Sequence, residues 1–281
     1  MTFAAIDGEI LPSEDAKLPL DDLGFLRGLG VFENFRTYNK QPFRLMDRYE
    51  KLKGSGAAIG ITLRYSYEEI EEMITSLIKR SHSEEVTLRL VLTGGSSNNG
   101  LTIDSISRFI ILMRPMEKLP TRYTEEGLHL ITTHLKRPFP TLKSLEYLSS
   151  ILALKEAKDK GADDALYLNE NQGILETTTA NFFAFSRGKL LTTNSKEILP
   201  GITRKVILEL QKNIEFETID LADLPLLEEA FTSSSIKGIL PVASINGHRI
   251  GNGKLGQQTK ELISRFSAYA HQATLPSSHF A

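Results

Sequence analysis

The amino-acid sequence predicts an α+β protein of two domains, and three observations carry that prediction. Segments with helical apolar spacing and segments with alternating apolar residues follow one another without a strict βαβ rhythm, which disfavours a doubly wound parallel sheet. The pattern lapses between Arg114 and Glu126 into prolines and charges, Pro115, Glu117, Lys118, Pro120 and Arg122, the composition of a linker. A chain of 281 residues, 41% hydrophobic and 24% charged, is long enough for two modest cores. The domains are placed at residues 1–116 and 126–281, with the linker at 117–125.

Taken in order, residues 66–80 give the cleanest helix. Ile70, Met73, Ile74, Leu77 and Ile78 share one face, Ser66 and Glu69 form a capping box, and Lys79 and Arg80 suit the C-terminal end. From Val86 to Thr93 the period changes to two: Val86, Leu88, Leu90 and Leu92 lie on one face, and Thr87, Arg89 and Thr93 on the other. Phe109–Met113 reads as a more deeply buried strand. Beyond the linker, 128–133 is read as strand and 145–160 as helix. Residues 165–168 and 174–176 form a hairpin through 169–173, and 182–185 is a further strand. Residues 202–212 and 258–270 are helical by pattern, and the tail 272–281 is expected to fray.

Composition narrows the function. With 33 Lys+Arg against 35 Asp+Glu the formal net charge is −2, which argues against a polyanion-binding surface. The absence of cysteine excludes a disulfide framework, a thiol nucleophile and thiolate metal sites. No apolar run approaches the roughly 20 residues that span a bilayer, and 1–20 is interrupted by Asp7, Glu9, Glu14 and Asp15. The chain reads as cytoplasmic.

Two motifs are decoys. Gly251, Gly253 and Gly256 match the dinucleotide fingerprint, but too few residues follow them for the second strand and the acidic ribose partner about 20 residues on. They read as a glycine turn before a helix. No two of the six histidines have the i, i+4 spacing of a helical metal site, so no metal is expected.

Three segments carry candidate chemistry. Lys143 directly precedes the helix expected from Leu145. A cation facing the positive end of a helix dipole is biased toward the neutral amine, the form that Schiff-base chemistry needs. Glu176 ends an apolar strand and precedes the hydroxyl-rich turn Thr177-Thr178-Thr179. It either holds a protonated ring nitrogen or pairs with a nearby cation. Pro200-Gly201-Ile202-Thr203-Arg204 opens a helix whose N–H groups and Thr203 hydroxyl could dock an anion, and 232–235 adds further hydroxyls.

In order along the chain, these segments resemble the class IV (fold type IV) pyridoxal phosphate aminotransferases, which include branched-chain and D-amino-acid aminotransferases and aminodeoxychorismate lyase. The matching stretches are residues 22–33, Pro42-Phe43-Arg44-Leu45, Lys143-Ser144-Leu145-Glu146-Tyr147-Leu148, 176–183, Ile198-Leu199-Pro200-Gly201-Ile202-Thr203-Arg204 and Gly238-Ile239-Leu240-Pro241-Val242. The resemblance implies a small N-terminal α/β domain, a larger C-terminal domain with a barrel-like sheet that carries the cofactor lysine, and a homodimer. It implies an enzyme that moves an amino group from a branched-chain L- or D-amino acid to a 2-oxo acid through pyridoxal 5′-phosphate. Lys143 would form the Schiff base and shuttle the proton. Glu176 would bond the pyridine nitrogen, Leu199 would pack under the ring, and Ile202, Thr203 and Ser235 would hold the phosphate. Tyr147 would reach the phenolic oxygen.

Two positions depart from the family. Lys51 stands where the family has its phosphate arginine, so either Lys51 serves or Arg48 substitutes, although lysine lacks the guanidinium fork. Glu146 brings a negative charge close to the Schiff-base lysine. Candidates for gripping the substrate are Arg27 and Arg89, with Phe32 as an apolar wall and Thr179 as an uncharged neighbour. The rival readings are a lyase of the aminodeoxychorismate type and a catalytically idle binding protein on the same scaffold.

Overall fold

The structure, a computed structural model, describes residues 2–275. The chain forms two compact units. One comprises the chain up to Glu117, Leu142–Glu146 and the chain from Ala270, and the other comprises Lys118–Thr141 and Tyr147–Tyr269. Lys143 is therefore counted with the first unit, whereas the sequence reading assigned it to the C-terminal domain 126–281.

The first unit contains β1 (Phe3–Ile6), β2 (Glu9–Pro12), α1 (Leu23–Arg27), β3 (Gly30–Tyr38), β4 (Gln41–Pro42), α2 (Leu45–Ala58), α3 (Tyr67–Lys79), β5 (Val86–Thr93) and β6 (Arg108–Pro115). Among the described residues its strands form one six-stranded sheet, in the order β2-β1-β6-β5-β3-β4. Strand β3 pairs antiparallel with β5, Phe32 opposite Val91 and Asn34 opposite Arg89. Alternation sends Val31 and Phe35 into a core shared with Leu52, Ile70, Ile74, Leu88 and Leu90, and leaves Phe32 and Asn34 on the other face. Helix α3 has the expected capping box: Glu69 N–H donates to Ser66 Oγ at 3.2 Å, and Ser66 N–H donates to Glu69 Oε2 at 2.7 Å.

The second unit contains α4 (Arg122–Glu125), a short helix inside the expected linker, then β7 (Leu128–Thr133), α5 (Leu148–Asp159), β8 (Asp164–Leu168), β9 (Gly173–Thr177), β10 (Asn181–Ser186), β11 (Lys189–Thr192) and α6 (Ile202–Leu210). There follow β12 (Ile214–Phe216), β13 (Ile219–Asp220), a 3-10 turn at Leu221–Leu226, β14 (Glu229–Ser234), β15 (Gly238–Ile245), β16 (His248–Arg249) and α7 (Gln257–Gln272). The path β10-β14-β15-β7-β8-β9 closes on itself through the pairing of Asn181 with Glu176, so the barrel-like sheet is present. Its apolar filling includes Leu130, Leu166, Ile174, Phe182, Leu240 and Ile245.

Helix α5 differs from its sequence reading in its start. It begins at Leu148, three residues later than expected, with Tyr147 as N-cap at φ −122°. The delay has a cause: Leu145 N–H donates to Gly30 C=O at 2.9 Å, and Phe32 N–H donates to Lys143 C=O at 2.8 Å. Residues 143–145 thus pair with β3 instead of winding a first turn. The helix buries Ser150, Ala153 and Ala157 against β8, and Leu148, Ile151 and Leu152 are 63%, 59% and 47% exposed.

The glycine decoy is a turn. Glu229 accepts N–H bonds from Gln258 at 3.0 Å and Thr259 at 2.8 Å, so a carboxylate of the protein already occupies the N-terminus of α7. No helix among the described residues is long and apolar enough to cross a membrane. The expected fraying of 272–281 falls mostly outside the described residues, and α7 itself runs to Gln272.

Candidate active site

The lysine segment is built by close backbone approach. Ser144 bridges Val31, and Gly30 has no room for a side chain, since a Cβ there would meet Leu145 Cδ1 at 2.6 Å and Leu92 C=O at 2.7 Å. Lys143 is anchored by its own carbonyl to Phe32, and its Nζ lies 5.0 Å from the Phe32 ring centroid. The Arg89 guanidinium lies 5.1 Å from the same ring. Arg89 Nε donates to Asn34 Oδ1 at 2.8 Å, a neutral partner that aims the guanidinium across the strand pair. The structure thus gathers Lys143, Phe32, Arg89 and Asn34. Lys143 lies outside the reach of the helix dipole expected to act on it, because it sits five positions before α5 and a dipole acts only over the first turn.

Arg27 is positioned differently. Its Nε donates to Gly100 C=O at 3.0 Å and its Nη1 to Leu26 C=O at 3.3 Å, so it fastens the loop after β5, outside this group. Thr179 is exposed in the turn after β9, its N–H reaching Thr177 Oγ1 at 3.4 Å.

On the core side of β3, Glu33 stands between two cations. Arg48 Nη1 lies 3.3 Å from Glu33 Oε2, and Lys51 Nζ 3.5 Å from Oε1. The Arg48 side chain is only 2% exposed against 15% for Lys51. Burial lowers the Arg48 pKa while the Glu33 charge pushes back. Both phosphate candidates therefore face Glu33, and Arg48 is the more enclosed of the two.

The carboxylate site forms at the barrel seam. Glu176, 3% exposed, ends β9 where the sheet closes on Asn181. Its Oε1 accepts from Arg137 Nη1 at 2.5 Å and from Leu199 N–H at 3.0 Å, and its Oε2 accepts from Asn181 Nδ2 at 2.8 Å. Asn181 Nδ2 also donates to Leu199 C=O at 2.8 Å. Backbone and side chains together therefore fix the plane of the carboxylate. Of the two roles open to Glu176 by its sequence, the cation pairing is present: the partner is Arg137, which lies outside every motif. Arg204 is a second buried cation. Burial lowers its pKa, the Glu176 charge raises it, and its Nη2 donates to Thr193 C=O at 2.7 Å.

The third segment is the start of α6. Gly201 is the N-cap at φ −68°, and no side chain caps the helix. A Cβ on Gly201 would collide with Asn181 Oδ1, so the backbone can approach the barrel seam only as glycine. Among the described residues, the buried hydroxyls of Thr203 and of Ser233, on the adjacent β14, have no hydrogen-bond partner. Orphaned buried hydroxyls beside an uncapped helix N-terminus suit a phosphate, so the residues present fit pyridoxal 5′-phosphate. Ile202 is buried beside Thr203, Ser235 follows the end of β14 and is half-buried, and Tyr147 and Leu199 are half-buried. Sequence reasoning missed Ser233, although it named the hydroxyl run that contains it. It also missed Glu33, Asn34, Asn181 and Arg137, whose roles depend on cross-strand or loop contacts.

The amino-transferase class IV pattern matches residues 30–245. A Methanocaldococcus jannaschii protein, provisionally named a branched-chain-amino-acid aminotransferase, is 31% identical over 93% of this chain and 94% of its own. A Staphylococcus epidermidis D-alanine aminotransferase is 28% identical over 96% of this chain and 98% of its own. Among solved structures, the Escherichia coli branched-chain amino acid aminotransferase is 26% identical and superposes with a TM-score of 0.90 over 99% of this chain and 98% of its own. A lysine pinned to β3, a carboxylate pinned at the barrel seam and a helix start with waiting hydroxyls belong to one and the same inheritance: this chain is a member of the class IV aminotransferase family.

Proposed function

We propose that the protein is a pyridoxal 5′-phosphate-dependent aminotransferase that moves an amino group from a branched-chain L- or D-amino acid to a 2-oxo acid. The observation that carries this reading is the Glu176 carboxylate, buried and held at both oxygens by Arg137, Leu199 and Asn181. A carboxylate so prepared can keep a ring nitrogen protonated. The cofactor, when bound, supplies the electron sink for the pair released at the substrate Cα. Lys143 Nζ would hold the cofactor through its aldehyde carbon and would carry the proton lost from the substrate Cα. Phe32 restrains that amine by its ring face. Ile202 and Thr203 N–H groups, the hydroxyls of Thr203, Ser233 and Ser235, and Lys51 would hold the phosphate, Leu199 would contact the ring, and Tyr147 would reach the phenolic oxygen. Arg89, aimed by Asn34, grips the substrate carboxylate beside the apolar wall of Phe32.

The protein is proposed to act as a cytoplasmic homodimer. The leucine and isoleucine face of α5 supports an association surface, since three large apolar side chains on one helix are exposed. The lyase and idle-binder readings are not favoured by relatives named as aminotransferases.

The test is optical. Purified protein with cofactor should be yellow, with a borohydride-reducible linkage that Lys143→Ala abolishes. Incubation with a panel of D- and L-amino acids should convert the chromophore to its pyridoxamine form with one enantiomeric series. A protein that stays colourless with added cofactor sinks the enzyme reading, and pyruvate release from aminodeoxychorismate alone replaces it with the lyase.

A further inference from the structure

Arg137 lies in the connection between β7 and Lys143, in none of the stretches that carry the family resemblance. Its guanidinium divides two ways. Nη1 donates to Glu176 Oε1 at 2.5 Å, and Nη2 donates to the carbonyl of Pro140, three residues before Lys143 in the chain. The side chains of Arg137 and Glu176 are 13% and 3% exposed. A carboxylate this buried strongly favours its neutral form unless a cation stands against it. Arg204 feels the Glu176 charge but makes no ion pair with it, its Nη2 being spent on Thr193 C=O. Arg137 supplies a direct counter-charge, its Nη1 bonded to the carboxylate. Because the guanidinium is planar and rigid, fixing one arm on Glu176 fixes the direction of the other, so one plane sets both the carboxylate and the turn at 137–140.

We infer that Arg137 is a positioning residue: it holds Glu176 ionised and oriented toward the cofactor's ring nitrogen, and it ties the turn that leads to Lys143. The inference rests on the proposed cofactor chemistry. A lone ion pair kept for folding would have no reason to share its acceptor oxygen with the Leu199 N–H and its partner oxygen with Asn181. That arrangement fixes a direction as well as a charge.

The experiment is a double-mutant cycle on equilibrium affinity for pyridoxal 5′-phosphate, read by absorbance on the apoprotein, with circular dichroism checking the fold of each variant. Arg137→Met should weaken cofactor affinity by about tenfold or more, as loss of an orienting partner does at other ligand centres. Arg137→Lys, which keeps the charge and one donor, should recover more than half of that loss on a logarithmic scale. In an Glu176→Gln background, Arg137→Met should change affinity by less than about threefold, because there is no carboxylate left to hold. Should Arg137→Met fail to fold, Arg137→Gln enters the same cycle and is read by the same criterion. Wild-type affinity in the single variant, an equal loss in both backgrounds, or a lysine variant no better than methionine overturns the inference and leaves the cofactor reading intact. Wild-type protein that binds no cofactor overturns both.

Discussion

Arg48 and Lys51 are separated by three positions, and their side chains have different fates. Arg48 is enclosed with Glu33 inside the first unit, so Arg48→Met deprives a buried carboxylate of its most enclosed cation and should cost about 3 kcal/mol of unfolding free energy. Denaturant titration of the apoprotein checks this. Lys51→Ala should cost less stability but weaken cofactor binding about tenfold, the worth of one charge-assisted contact, and the reverse ranking would return the phosphate role to Arg48. The orphaned hydroxyls make a complementary case. Since Thr203 Oγ1 and Ser233 Oγ bond nothing among the described residues, the pair of substitutions Thr203→Val and Ser233→Ala should leave apoprotein stability within about 1 kcal/mol. The same pair should lower cofactor affinity by about tenfold or more, and unchanged affinity would remove both residues from the phosphate site. None of these fates is written in the residue types. The linear sequence puts Lys51 at the family's phosphate position with Arg48 as its substitute, but burial, which separates them, is a property of packing.

At the scale of elements, α3 and α5 mark the limits of periodicity. Helix α3 was legible to within a residue because its signals are local: a capping box, an apolar face and a basic end all lie inside one segment. Ser66→Ala should cost about 1 kcal/mol, seen as a lower melting temperature. Helix α5 starts later than its pattern suggests because its first expected turn is claimed by β3, a strand more than a hundred positions away; its small residues face the sheet while its large ones face outward. If that outward face is the dimer surface, Leu148→Lys with Ile151→Lys should yield a folded monomer in sedimentation, and an unchanged mass would clear the face of that role. The junction of α4 and β7 carries a pH-dependent contribution. Burial alone would raise the Asp163 pKa, but the Arg122 guanidinium and the His129 N–H outweigh it and hold the carboxyl below the usual range. A depressed folded-state pKa stabilises above the unfolded value near about 3.9 and is lost as pH falls through the folded value. Asp163→Asn should therefore cost about 1 kcal/mol at neutral pH and nothing in strong acid, which melting curves at the two extremes will test.

For the whole molecule, cofactor binding and folding are linked. Pyridoxal 5′-phosphate at a hundred times its dissociation constant should stabilise the protein by about 2.7 kcal/mol through mass action alone, visible as a rise in melting temperature that Glu176→Gln diminishes. The sequence alone yields the α+β class, six of the strands, the helix of residues 66–80, and, through ordered motifs, the family with its lysine and carboxylate. It could do so because local period, turn chemistry and motif order are recorded residue by residue along the chain. Packing, by contrast, selects the pairing of residues 143–145 with β3, the closure of the sheet where Glu176 meets Asn181, and the return of Arg137 to the carboxylate. Each of these joins residues distant in sequence, and such contacts are selected by the shape of the packed core and by the need to satisfy buried charges and N–H groups, which no single segment can reveal.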